Sequence, residues 1–313
     1  MSTASCNCPC CGGGPLKFSG ESGKLECTAC GNNYEPEALE MMTPEESIDE
    51  ITFANDAKRF DTGEAGMRAY FCKNCGAELM ADETAAAECP YCGSPTILPD
   101  RIEDGVKPEK VIPFVVSKEQ AQNYFKGKKL LPNVFLNSRN RISEMRRLYI
   151  PYWLFSCDAC ADMVYDAEKV HTEQKGEWEI TRTKHYLVRR RGGMRFENTP
   201  VDGSVKMDDK LTESLEPYDL SAAIPFQSAV LAGAMADHAD ADCDACEKRA
   251  VERSVEQTML DTVRDYDTVS ERSRRIIAER GSATPALLPV WLMTTVKEGK
   301  TYTFAVNGQT GKL

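Results

Sequence analysis

Apolar and polar positions change their pattern near Pro99. Before it the apolar residues are sparse, broken every few positions by Cys and Gly, so any strand there is only a few residues long. Beyond it the texture is strands separated by Gly and Asp turns, with short helical segments between them. Val111-Ile112-Pro113-Phe114 is answered by Ala223-Ile224-Pro225-Phe226. In the same order, Ile150-Pro151-Tyr152-Trp153-Leu154 is answered by Leu288-Pro289-Val290-Trp291-Leu292. This repetition predicts an internally duplicated, β-rich α+β domain over 101–313, with halves at about 105–200 and 217–313.

Within the first half, Ser117 and Gln120 form a capping-box pattern that opens a short helix closed by Gly127. Its counterpart is longer: Ala250, Val251, Val255, Met259, Val263 and Tyr266 recur at helical spacing between about Asp244 and Asp265. A further strand is expected after each Pro-x-Trp strand, A-D-M-V-Y-D-A in one half and K-T-Y-T-F-A-V in the other. Proline removes a ladder donor, which puts Pro151 and Pro289 at an edge or at strand starts. Between the halves, alternation on both sides of Gly192-Gly193 predicts a hairpin turning there, and Ser204 to Glu216 reads as a short helix stopped by Pro217.

The sparse N-terminal region carries its own signal. Cys8 and Cys11, Cys27 and Cys30, Cys72 and Cys75, and Cys89 and Cys92 are four Cys-x2-Cys pairs, and Gly12, Gly31, Gly76 and Gly93 each follow the second cysteine. A tight turn closed by Gly aims backbone N–H groups at the thiolates, and two such turns facing each other complete a tetrahedral Zn2+ site. Two structural four-cysteine zinc ribbons follow, one over 1–37 and one over 68–100. Eight cysteines buried as small hydrophobes would not explain four glycines at the same offset. The segment 38–67 joins them as an acidic connector in which Thr43-Pro44-Glu45-Glu46-Ser47 begins like a helix. Ile48, Ile51, Phe53 and Phe60 either dock it on a neighbour or are isolated apolars of a solvated spacer.

Charge sharpens this picture. Residues 1–100 carry 6 Lys+Arg against 17 Asp+Glu, while 101–313 carry 32 of each, so the whole net charge of −11 lies with the ribbons. Four thiolates on one Zn2+ add about −2 per site. Ribbons that grip nucleic acid need basic residues to displace counterions, and these have few. The start of the chain lacks the basic and apolar regions of a secretory signal, so the 14 cysteines read as cytoplasmic thiols held by metal. The longest uncharged run, Ser221 to Ala236, is too short to cross a bilayer.

The remaining chemistry is thin. Cys157-Asp-Ala-Cys160 and Cys243-Asp-Ala-Cys246 suggest a third metal site with one pair from each half. Neither pair is followed by Gly, and strand residues three apart face opposite ways. A redox dithiol at Cys243 and Cys246 is opposed by Asp240, Asp242, Asp244 and Glu247, which raise thiol pKa. Cys6 and Cys10 are spare. His171, His185 and His238 have no ligand spacing, and no phosphate loop, nucleophile elbow or metalloprotease motif is present. The dense basic cluster, Arg189, Arg190, Arg191 and Arg195, is either an anion or nucleic-acid patch or a solvated hairpin tip. No catalytic residue emerges, and the protein is expected not to be an enzyme.

The second ribbon, taken with Ile112-Pro-Phe, Tyr149-Ile-Pro-Tyr-Trp-Leu-Phe, Tyr165-Asp-Ala-Glu-Lys, Pro200-Val-Asp-Gly-Ser, Met207-Asp-Asp and Thr301-Tyr-Thr-Phe-Ala-Val-Asn-Gly-Gln-Thr-Gly-Lys, resembles a bacterial family often labelled TFIIB-type zinc-ribbon or PriA-like proteins. The resemblance covers nearly the whole chain; the transcription and helicase labels rest on ribbon analogy alone. It implies a non-enzymatic member of a membrane-associated envelope-stress system, with phage-shock-protein A or band-7 type protein partners. It also implies a place in the cytoplasm at the inner face of the membrane, through partners or a further C-terminal segment. That family does not keep cysteines at 157, 160, 243 and 246. The expectation is a zinc-binding scaffold for protein–protein interactions; the alternative is a nucleic-acid-binding zinc-ribbon protein.

Overall fold

A computed structural model describes residues 8, 10–42, 47–60, 68–81, 88–94, 97–100, 105–127, 145–241, 243–297 and 300–313. The protein is mixed α+β and mostly sheet. It divides into two compact units, Met1–Ile51 with Ala159–Met194 and Val255–Ala278, and Thr52–Asp158 with Arg195–Ser254 and Glu279–Leu313.

The first unit begins with a three-stranded antiparallel sheet, β1 (Leu16–Phe18), β2 (Leu25–Cys27) and β3 (Asn33–Tyr34). Gly23, at φ +67°, closes its first turn by donating to the Ser19 carbonyl at 2.9 Å. Helix α1 (Pro36–Met42) follows with proline in its first turn, where a missing N–H costs nothing. After it comes strand β4 (Ile48–Ala54), whose β-branched and aromatic side chains suit a strand. The expected helical start at Thr43–Ser47 falls mostly on residues outside those described, and from Ile48 the chain is extended.

Three strands are long: β9 (Arg146–Lys175), β10 (Trp178–Asp202) and β13 (Thr268–Lys297). β10 pairs with β9, and the chain reverses at Gly176, φ +68°. The hairpin therefore turns sixteen residues before the expected Gly192-Gly193, which lies within β10. Gly176 takes the left-handed conformation a tight turn needs, whereas Gly192 and Gly193 do not. The expected break between the Pro-x-Trp strand and A-D-M-V-Y-D-A is also absent, since both belong to β9.

The second unit is built on a sheet path β11-β8-β13-β9-β12-β6-β5-β7, where β5 is Arg68–Cys72, β6 Glu78–Ala81, β7 Ile97–Asp100, β8 Lys110–Val111, β11 Ile224–Pro225 and β12 Met235–Asp237. Strand β14 (Lys300–Asn307) adds antiparallel to β13, with Val290 opposite Asn307. Leu148 to Phe155 and Ala286 to Met293 are buried without alternation, as expected of strands covered on both faces. Pro151 and Pro289 sit inside these long strands and not at their starts. The sheet tolerates them because the parallel partners end two residues earlier: the last pairs are Ala236 with Tyr149 and Leu287 with Val111. The missing donors lie where those ladders have stopped.

Helix α2 (Lys118–Gly127) has the predicted box: the Ser117 N–H donates to Gln120 Oε1 at 2.8 Å, and the Gln120 N–H to Ser117 Oγ at 3.2 Å. Its Ala121 packs with Val116, Trp291 and Val306. Helix α3 (Asp209–Ser214) is capped by Asp208. The predicted long helix is α4 (Cys243–Val251), a π-helical turn over Glu252–Glu256, and α5 (Gln257–Asp261), burying Ala250, Val251, Val255 and Met259. Among the described residues no helix is long and apolar enough to cross a membrane.

Strand β4 pairs with β13, and Phe53 meets Phe155 edge-on at 5.0 Å between centroids. Gly281 lets them approach, since a Cβ there would lie 2.4 Å from the Thr52 carbonyl oxygen. Phe53→Ala is expected to destabilise the second unit by about 3 kcal/mol in chemical denaturation, whereas Ile48→Ala, at an exposed position, changes stability by less than about 0.5 kcal/mol.

Candidate metal centres

Each cysteine pair sits on the same backbone device. The Gly12, Gly31, Gly76 and Gly93 N–H groups donate to the carbonyls of Cys8, Cys27, Cys72 and Cys89 at 2.8, 2.9, 2.8 and 2.9 Å. All four glycines hold φ between +64° and +75°, a conformation that side chains strain. The first cysteine of each pair closes the loop, its N–H reaching Gly14, Asn32, Ala77 and Ser94 at 2.8–3.0 Å. The recurrent glycine in the sequence is thus a conformational requirement of the turn.

Paired turns bring the sulfurs together. Cys8, Cys11, Cys27 and Cys30 form one group and Cys72, Cys75, Cys89 and Cys92 the other, with all ligand atoms of a group within 4.8 Å of one another. Contacts between the pairs are 3.6 Å (Cys8 to Cys30), 3.7 Å (Cys11 to Cys27), 3.6 Å (Cys72 to Cys92) and 3.7 Å (Cys75 to Cys89). A tetrahedron of metal–sulfur bonds of about 2.3 Å has edges of about 3.8 Å, so both groups have the size of a four-thiolate site. No described cysteine is in a disulfide. Each group can hold a metal ion with sulfur at every corner.

Electrostatics shows why a cation belongs there. Burial raises the Cys8 thiol, but hydrogen bonds from the Tyr34 hydroxyl (3.2 Å) and the Cys11 and Cys10 N–H groups bring it down to about 6. The Asn32 N–H lowers Cys30, yet burial and the thiols of Cys27, Cys11 and Cys8 push it up to about 12. In the second group burial raises Cys92, while the Asn74 side chain and the Ser94 N–H return it to about 7; Cys75 is pushed up to about 11, chiefly by burial. Without a cation some sulfurs of a group are drawn toward the thiolate and others are held protonated, as Cys8 and Cys27 are lowered while Cys11 and Cys30 are raised. A divalent ion removes this conflict by displacing the protons, so acidification should release it.

The groups differ in setting. In the first, Cys11 and Cys30 are exposed. The second is part of a core: Cys72 and Cys89 pack with Leu79, Leu148, Ile150, Tyr152, Leu288 and Val290. Strand β6, between the two turns, pairs with β12 through Leu79–Asp237, Met80–Ala236 and Ala81–Met235. Tyr91, inside the last turn, donates to Asp237 Oδ2 at 2.5 Å, and the Ser204 hydroxyl donates to the same oxygen. Sequence reading passed over this buried polar cluster, although Ser204 lies in the Pro200-Val-Asp-Gly-Ser motif.

The other candidates are placed differently. Cys157 is buried and Cys160 exposed on β9, as alternation requires, while Cys243 and Cys246 are buried at the start of α4. Among the described residues only the two N-terminal groups gather three or more potential ligands, so these four cysteines are not brought to one point. Arg189 forms a two-point pair with Asp162 at 2.7 and 2.6 Å and holds that carboxyl below its usual range; Arg191 lies 3.8 Å from it. Arg190 reaches the Thr262 carbonyl at 3.4 Å and Arg195 reaches Asp158 at 3.3 Å. These arginines stand along a strand among carboxylates, not at a hairpin tip.

Metal analysis of the purified chain is expected to give two ions per chain, falling to one in Cys11→Ser and in Cys72→Ser. Only Cys72→Ser should also collapse the near-UV circular dichroism of Tyr152 and Tyr218, because its sulfur is in their core. Loss of that signal in Cys11→Ser would contradict the difference in setting.

No protein-family model matches the chain, and no solved structure matches it. A protein of Bacillus subtilis (strain 168), described as uncharacterized protein YdjG, is 35% identical over 313 residues, covering 98% of this chain and 87% of the relative. Identity of this degree over nearly the whole chain is the mark of shared descent, and the chain belongs to the YdjG family.

Proposed function

We propose that the protein is a non-enzymatic scaffold for protein–protein interactions in a membrane-associated stress-response complex, with two structural Zn2+ ribbons and an internally duplicated α+β domain. The observation that carries this is the closure of both metal groups. Four sulfurs supply all four corners, and among the described residues no His or carboxylate joins either group. A closed tetrahedral site has no position for water or substrate, so its ion contributes folding free energy and not chemistry. The partners, of phage-shock-protein A or band-7 type at the inner face of the membrane, are proposed from the family resemblance of the motifs.

Matched details support the duplication. Gly203 donates to the Pro151 carbonyl at 2.9 Å and Gly308 to the Pro289 carbonyl at 2.8 Å. Val-Asp-Gly-Ser at 201–204 parallels Val-Asn-Gly-Gln at 306–309, and in both the acid or amide accepts the N–H two residues on, at 2.9 and 2.8 Å.

The test is direct binding of the metal-loaded chain to purified phage-shock-protein A and band-7 type proteins, where saturable complex formation is expected. Salt-dependent retention on single-stranded DNA or RNA, abolished by neutralising Arg189, Arg190 and Arg191 together, would instead establish the nucleic-acid reading.

A further inference from the structure

The second unit contains a cleft of about 610 Å3 between the segment after β10 and helix α4, lined among others by Asp202, Ser204, Asp208, Asp209, Cys246 and Arg249. Its volume suits several residues of a peptide. Asp202 is 7% exposed, and one of its carboxyl oxygens, Oδ1, accepts the Ser204 N–H at 2.9 Å. The other, Oδ2, is buried and has no hydrogen-bond partner.

The donors around it are engaged with other acceptors. The Ser204 hydroxyl donates to Asp237, the Thr212 hydroxyl to the Asp209 carbonyl at 2.9 Å, and the Cys246 thiol to the Asp202 carbonyl at 3.5 Å. Arg249 is held by Asp209 and, at 2.6 Å, by Glu213; Lys206 Nζ donates to the Cys75 carbonyl at 3.2 Å. Asp208 already caps α3 through the Lys210 and Leu211 N–H groups. Burial, the largest effect, pushes the Asp202 carboxyl up to about 7 even though the Ser204 N–H and the Thr212 hydroxyl lower it.

Asn307, at the matching place in the other half, is fully buried and satisfied. Its Oδ1 accepts the Gln309 and Thr310 N–H groups, and its amide donates to the carbonyls of Leu215 at 2.9 Å and Pro217 at 3.4 Å. There the chain leaving helix α3 covers the side chain. At Asp202 the residue is an acid, and the atom that would meet such a chain needs a donor.

We propose that this cleft binds an extended peptide segment of a partner protein through one lysine or arginine side chain, whose N–H donates to Asp202 Oδ2. A cation suits the site because the two basic residues lining it are already paired and a charged donor makes the stronger hydrogen bond to a carboxylate. The inference rests on the scaffold reading and names the chemistry of what the scaffold holds.

The experiment is a titration of the isotope-labelled, metal-loaded full chain with acetyl-Gly-Arg-Gly-amide, followed by amide chemical shifts. The citrulline tripeptide and agmatine serve as comparisons. Saturable shifts confined to residues 201–209 and 241–249 are expected with the arginine peptide, and binding about tenfold weaker or absent with citrulline. Asp202→Asn, which keeps an acceptor for Ser204, should abolish them; so should Ala245→Trp, which fills the cleft from an exposed position on α4. Metal content and thermal unfolding verify that both variants are folded. Equal shifts with citrulline, or unchanged binding in Asp202→Asn, would overturn the proposal; agmatine binding more tightly than the peptide would overturn the peptide assignment. Any of these results would leave complex formation with the larger partners unaffected, which separates this inference from the scaffold reading.

Discussion

Four thiols held at contact distance inside a hydrophobic core are the constraint on which the second unit depends. The sulfur edges of 3.6–3.7 Å are too long for a disulfide and too short for four thiolates without a cation between them. Cys72 and Cys89 are fully buried, so their neighbours must accommodate whatever charge the sulfurs carry. An ion held there would settle that charge locally. Its binding energy, on the order of 10 kcal/mol for a structural four-thiolate site, would then enter the folding of every strand that shares the core.

This coupling makes sense of the strand order. Turns that could fold as a separate module instead continue a sheet, through β6 on β12 and β12 on β9. The junction is tied by hydrogen bonds as well as by apolar contact, since Tyr91 and Ser204 both donate to the buried carboxyl of Asp237. Burial pushes that carboxyl up to about 6, and the two donors offset part of the cost. Asp202 lies close by with one buried oxygen unserved, so two neighbouring acids differ: one joins elements of the fold, and the other is the group to which the proposed peptide would donate.

The two cysteine groups share a design and differ in consequence. A turn needs only local geometry, a glycine with positive φ and N–H groups aimed inward, and all four turns have it. What surrounds the turn decides how far the influence of an ion bound there would reach. Around the first group stands a three-stranded sheet with exposed cysteines; around the second stand Leu148, Ile150 and Tyr152 of a strand buried on both faces. The arginines on β10 illustrate the same dependence on surroundings. As a run of charge they suggest a free basic patch, and in place they are balanced by Asp162 and Asp158.

Legibility followed the range of the forces involved. Cys-x2-Cys-Gly, the Ser117 capping box and the periodic apolar residues of α4 and α5 act over a few residues, so the sequence by itself determined the eight clustered sulfurs, α2 and the helical segment near Val255. It also determined that Cys157 and Cys160 would face opposite ways, because strand alternation is local. The position of the long hairpin's turn was not legible: Gly176 and Gly192-Gly193 are equally competent, and only pairing along β9 selects between them. Proline inside β9 and β13 ran against local preference and was permitted by where β12 and β8 end. Asp202 was visible as part of a motif, but its unserved oxygen exists only because the donors around it, far apart in sequence, are committed elsewhere. Local geometry is written in neighbouring residues, whereas satisfaction of a buried group is a sum over everything the fold places beside it.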